Sequence, residues 1–143
     1  MTEANILLVD DDAQFIDVMK KRLTKRLMQV FHAGSGDEAM GQLALHDEIE
    51  VVILDVNMPG RNGMEMLRLI KQQYPLVEVI MLTGHATMES AIDGMRLGAA
   101  DYLMKPCGIE VLVEKVKDAV EKKRRHEEKI VDARAREIAS RRD

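Results

Sequence analysis

Cysteine, tryptophan and long apolar runs are all scarce or missing in this 143-residue chain. The one cysteine, Cys107, excludes an internal disulfide and any multi-cysteine zinc site, and it favours a reducing compartment. Tryptophan is absent and aromatics make up only 3%, which removes the stacking platforms of single-strand nucleic-acid binders. No apolar run approaches the roughly 18 residues that a membrane-spanning helix needs. The start, Met1-Thr2-Glu3-Ala4-Asn5, lacks the basic segment of a secretory signal. No Gly-x-x-x-x-Gly-Lys-Ser/Thr loop occurs, so no ATPase module is expected. A soluble cytoplasmic protein with no membrane partner is the expectation.

Apolar residues make up 46% of the chain, enough for one domain with a sizeable core. That core must be aliphatic, with 11 methionines available to fill gaps. The net charge of −4 hides an asymmetry. Residues 1–120 carry 12 basic and 19 acidic side chains, whereas residues 121–143 carry 9 basic and 6 acidic ones. The chain therefore divides into a domain over 1–120 and a charged helical extension or linker over 121–143.

Three apolar runs, Ile6–Val9, Val51–Leu54 and Val77–Leu82, fit strands buried on both faces of a parallel sheet. Met28–Phe31 and Asp101–Met104 are weaker strand candidates. Between them the apolar period becomes helical. Phe15, Ile16, Met19 and Leu23 form one stripe, and Ile109, Leu112, Val113, Val116 and Val120 form the last. Ser35 with Glu38 and Asn62 with Glu65 have capping-box spacing. Tyr74-Pro75 and Gly98 mark helix ends. The alternation predicts an α/β protein, (βα)5, with an open five-stranded parallel sheet and helices on both faces. No proline or glycine stops the last helix, which is expected to run on into 121–143.

In such sheets the chemistry sits at the carboxyl ends of the strands. Asp10, Asp11 and Asp12 follow the first run; Asp55 follows the third, with Asn57 two residues on. Thr83-Gly84 and Lys105-Pro106 close the fourth and fifth. Carboxylates from two strand ends plus a backbone carbonyl make a hard oxygen site of the kind Mg²⁺ prefers. A threonine hydroxyl and a lysine ammonium suit phosphate oxygens. The set reads as metal-assisted phosphoryl chemistry on a carboxylate. Taken singly, each residue has a plainer role as turn former, helix cap or surface side chain. Their conjunction at four strand ends is what carries the reading.

Leu8-Val9-Asp10-Asp11-Asp12, Leu54-Asp55-Val56-Asn57-Met58-Pro59-Gly60 with Gly63, Leu82-Thr83-Gly84 and Lys105-Pro106 resemble the CheY-like receiver domain of two-component response regulators over roughly residues 4–120. The resemblance implies the doubly wound, flavodoxin-like strand order 2-1-3-4-5. It implies that Asp55 accepts a phosphoryl group from a histidine kinase or phosphotransfer protein. Asp11 and Asp55 would hold Mg²⁺ by side chain and Asn57 by its backbone carbonyl, with Asp10 helping through water. Lys105 would contact the phosphoryl group, Thr83 would move toward it, and Tyr102 would turn inward. Pro106 would follow a cis peptide bond. Cys107 departs from the Phe common at its position and reads as a small buried hydrophobe. Asn57 and His85, two residues beyond the acceptor and the switch threonine, would tune the lifetime of the phosphoryl group. A histidine there would make decay pH-dependent. Such a chain catalyses only its own phosphorylation and dephosphorylation.

The rivals are a haloacid-dehalogenase-like phosphatase, a flavodoxin-like cofactor binder and a degenerate receiver acting as an interaction module. The first expects the nucleophile of its Asp-x-Asp motif after the first strand, whereas here the nucleophile candidate follows the third and Asn57 takes the place of the acid. The second expects a phosphate loop where Asp10–Asp12 would repel it. The full site argues against the third. The output domain or partner is not identified, direct nucleic-acid binding by this chain is not expected, and homodimerisation on phosphorylation is left open. Gly94 inside the fourth helix reads equally as a weak point beside the switch or as room for close packing.

Overall fold

The structure is a computed structural model and describes residues 3–56 and 62–141. Five strands alternate with five helices: β1 (Ala4–Val9), α1 (Ala13–Thr24), β2 (Met28–Ala33), α2 (Gly36–Leu45), β3 (Val51–Leu54), α3 (Gly63–Gln73), β4 (Glu78–Thr83), α4 (Met88–Arg96), β5 (Asp101–Met104) and α5 (Ile109–Ser140). All pairings are parallel, in the order β2-β1-β3-β4-β5. This is the open, doubly wound sheet the alternation predicts. Among the described residues no helix is long and apolar enough to cross a membrane.

Successive residues of a strand face opposite sides, and the sequence supplies apolar residues on both. Leu7, Val9, Val52, Leu54, Val79 and Met81 pack against α2 and α3 through Ala39, Leu43, Met66, Leu67 and Ile70. Ile6, Leu8, Val51, Ile53, Ile80 and Leu82 pack on the other face against α1 and α5 through Met19, Leu23, Leu112, Val113 and Val116. Strands β3 and β4 are therefore buried throughout, whereas edge strand β5 is only half-buried. That difference explains why its sequence signal is weaker.

The helix starts follow local chemistry. Asp12 caps α1 by accepting from the N–H groups of Gln14 and Phe15. Ser35 accepts from Glu38, while the Glu38 carboxylate reaches back to the Gly34 N–H, one residue short of a closed capping box. The full box is at α4, between Thr87 and Ser90. Gly98, with φ +103°, ends the turn after α4 in a conformation that costs glycine least.

Opposite the carboxyl ends of the strands, two acids are buried. The Glu50 carboxylate accepts from the Arg124 guanidinium at 3.0 and 3.3 Å and from the Asn5 backbone and side-chain amides at 3.2 and 3.3 Å. Glu78, 2% exposed, faces the Lys122 ammonium at 3.7 Å. Lys117 reaches Glu3 at 3.1 Å. The last helix is thus tied to the sheet as far as Arg124, well past its last buried apolar residue, Val120. Beyond it, i,i+4 pairs such as Glu121–Arg125 and Glu137–Arg141 lie along an exposed helix. Lys71 donates to the Pro75 and Val77 carbonyls and fixes the turn into β4.

Glu50→Ala removes the acceptor for two charge-assisted bonds and leaves the Asn5 N–H without a partner. Its expected cost is about 1.5–3 kcal/mol, read as a lower urea midpoint at unchanged m value.

Candidate functional site

Strands β1 and β3 leave the sheet side by side, Val9 opposite Leu54. The chain passes from β1 to one edge and from β3 to the other, so the strand order reverses between them. Asp10 and Asp55 are the next residues of these two strands. Their backbones are still held in register, Asp10 N–H donating to Ala33 and Asp55 N–H to Val9. Asp10 is 3% and Asp55 8% exposed. One oxygen each from Asp10, Asp11 and Asp55 falls within 4.8 Å of the others. Gly63 allows α3 to start against this loop. A Cβ there would lie 2.4 Å from the Val56 Cα and 2.6 Å from the Asp55 carbonyl oxygen.

Among the described residues, Lys105 is the cation that faces these acids. Lys105 follows β5, its N–H bonded to the Thr83 carbonyl, and its ammonium reaches Asp10 Oδ2 at 2.6 Å and Asp55 Oδ2 at 3.5 Å. The Phe15 ring centroid lies 4.0 Å from the same nitrogen. The Lys105–Pro106 peptide is cis. Burial pushes the Asp10 carboxyl above its ordinary value of 3.8, and the Asp55 charge adds to this; the Lys105 hydrogen bond and the Asp12 N–H work against it without prevailing. Three carboxylate oxygens this close, all hard donors, fit a divalent ion such as Mg²⁺.

The remaining described candidates lie on the neighbouring strands β4 and β5 and the turns that follow them. Thr83 is fully buried at the end of β4, one strand over from Asp55, and its hydroxyl accepts from the His85 N–H at 3.2 Å. The His85 side chain is exposed. Tyr102 is half-buried on β5, its hydroxyl 2.6 Å from Ser90 Oγ in the first turn of α4. A Cβ on Gly94 would lie 3.4 Å from the Tyr102 ring, so Gly94 gives the room for close packing. Cys107 is half-buried rather than buried, and what burial it has raises the thiol pKa. Asn57, and with it the expected carbonyl ligand, lies outside the described residues. The Phe15 contact and the buried acids Glu50 and Glu78 were not legible in sequence. Phe15 belongs to an apolar helical stripe, Glu50 looks like an ordinary loop residue, and Glu78 stands as a lone charge in an apolar run until its partner is known.

The chain belongs to the response regulator receiver domain family, whose model matches residues 6–117. It is a receiver domain of two-component response regulators. It is 35% identical over 113 residues to the response regulator protein FleR of Pseudomonas aeruginosa, covering 79% of this chain and 24% of that one. To the DNA-binding transcriptional regulator NtrC of Proteus hauseri it is 31% identical over 123 residues, covering 84% and 25%. The chain thus spans about a quarter of the length of these curated relatives. A response regulator from Burkholderia pseudomallei, solved with a phosphorylated aspartic acid, calcium ion and citrate, superposes with a TM-score of 0.74 at 25% identity, over 87% of this chain and 72% of that one.

Two outcomes follow from the acid cluster. With a chelator present, the raised Asp10 pKa means that the folded chain binds more protons than the unfolded chain above pH 3.8. Stability therefore falls as pH rises through the interval between the ordinary and the raised value, and the loss persists above it. Asp10→Asn should therefore raise Tm at pH 7. The gain should vanish below the ordinary carboxylate range. Secondly, Mg²⁺ at about tenfold over its Kd should stabilise the parent by about 1.4 kcal/mol through mass action. Asp11→Ala should lose most of that gain in the same melting series.

Proposed function

We propose that this chain is a phosphorylation-controlled switch in which Asp55 accepts a phosphoryl group from a histidine kinase or phosphotransfer protein. The observation that carries the reading is the buried Asp55 carboxylate, gathered with Asp10 and Asp11 within 4.8 Å and faced by Lys105. The Burkholderia relative's phosphorylated aspartic acid and calcium ion support it. An Asp55 oxygen attacks phosphorus, the P–N bond to the donor imidazole breaks, and the imidazole leaves with the bonding pair and takes up a proton. The product is an acyl phosphate on Asp55. Lys105 balances the charge that gathers on the transferring oxygens. Asp10, Asp11 and Asp55, with the backbone carbonyl of Asn57, would hold Mg²⁺, which when bound neutralises more of that charge. The chain catalyses only this gain and the later loss of phosphoryl. Asn57 and His85 tune the loss.

The switch reading extends to Thr83 and Tyr102. The Thr83 hydroxyl turns from the His85 N–H toward the phosphoryl oxygens, and Tyr102 exchanges its place beside Ser90 for an inward one. A ligand shifts an equilibrium only through differential contacts with its two states, and these hydroxyls supply them. The surface they reach carries Met88, Ile92, Met95, Met104 and Val111, all exposed, which suits a face read by a partner or a second copy. Helix α5 joins this face to an output, transcriptional on the pattern of the NtrC relative, in a cytoplasmic setting.

Incubation with acetyl phosphate and Mg²⁺ should add one phosphoryl mass to the parent and none to Asp55→Asn. Equal labelling of the two would remove Asp55 from the role.

A further inference from the structure

Among the described residues, the Lys105 ammonium has three neighbours of two kinds. Asp10 and Asp55 engage it with oxygens, and the Phe15 ring engages it with a π face. The contact is not incidental to a loose surface side chain. Lys105 keeps only 21% of its side-chain exposure, and Phe15 is half-buried against the core between the sheet, α1 and α5. The ring is also tied to the acids through the backbone. Asp12 Oδ1 accepts from the Phe15 N–H at 3.2 Å, and the Asp12 N–H donates to Asp10 Oδ1 at 2.9 Å. One turn therefore fixes both the carboxylate and the aromatic wall of the same cradle.

An ammonium carries three N–H donors on a flexible stem. A polar wall would occupy one of them. An aromatic face attracts the cation through its quadrupole and occupies none. Among the described residues Asp10 accepts one donor and Asp55 lies in ion-pair range, so a donor remains for an oxygen arriving at Asp55. A leucine or methionine at position 15 would fill the volume but leave the stem free to swing.

We propose that Phe15 is a positioning residue for Lys105, its ring face holding the ammonium over Asp55 so that it meets the transferring phosphoryl group. The inference rests on the reading of Asp55 as acceptor. It adds a residue with no ligand atom of its own, one that the strand-end motif does not contain.

The test uses the full chain with Phe15 replaced by mono-, di- and trifluorophenylalanine, which keep the shape while weakening the quadrupole step by step. Phosphorylation by acetyl phosphate with Mg²⁺ should slow progressively, reaching about 3–10-fold for the trifluoro ring, on the order expected of a partly desolvated cation–π contact. Phe15→Trp should stay within about twofold of the parent, and Phe15→Leu should match the trifluoro chain. Independently of any reaction, the Lys105 ε-methylene protons should show a ring-current shift in the parent that Phe15→Leu abolishes. A labelled parent with rates flat across the fluorinated series overturns the role of Phe15 even if Phe15→Leu is slow, because volume alone would then explain it. An absent ring-current shift overturns it as well. An unlabelled parent overturns the reading of Asp55, and the inference with it.

Discussion

Two carboxylates, Asp10 and Asp55, are held against each other with almost no water around them, and Asp11 stands beside them at the surface. Like charges in that position repel, and burial adds to the cost of keeping Asp10 ionised. The backbone enforces the encounter. Parallel pairing of β1 with β3 sets Val9 beside Leu54 and leaves the next residue of each strand no other direction. The apolar layers on both faces hold that register, because a slip of one residue would turn every core side chain to the wrong side. The energy stored in the acid cluster is thus sustained by aliphatic packing elsewhere, as is common at functional sites.

The Lys105 ammonium is the counterweight. It comes from the far edge of the sheet, so the acids and their cation join β1, β3 and β5 across the intervening β4. Thr83 lies on that intervening strand and gives its carbonyl to the Lys105 N–H. From Asp55 the contacts run to Lys105 and through its N–H to Thr83, and β5 meets α4 through Tyr102 and Ser90. The α4 contact surface is light: Gly94 is its only buried residue.

The opposite end of the sheet uses charge differently. Glu50 and Glu78 are buried like the acids of the site, yet basic residues on α5 face them. Glu50 is hydrogen-bonded to Arg124, and Glu78 faces Lys122 at 3.7 Å; both pairs fasten the last helix to the body of the domain. Among the described residues, one sheet thus holds three acids faced by Lys105 at one end and two buried acids faced by basic residues of α5 at the other.

Sequence by itself determined the parts whose information is local. Ile6–Val9, Val51–Leu54 and Val77–Leu82 are apolar on both faces, which only a strand sandwiched between helix layers can satisfy. The acids, threonine and lysine that end these runs are legible because an open parallel sheet delivers strand ends to one place. The strand order came from the resemblance of the motifs, since short runs do not encode which neighbour they pair with. Tertiary structure alone decided which charges meet. Glu50 finds Arg124 across 74 residues and Lys105 finds Asp10 across 95. Phe15 reads as one more apolar residue of a helix until the fold brings Lys105 over its ring. Periodicity records burial one element at a time, whereas a charge or a ring acquires its role from the neighbour that chain folding puts against it.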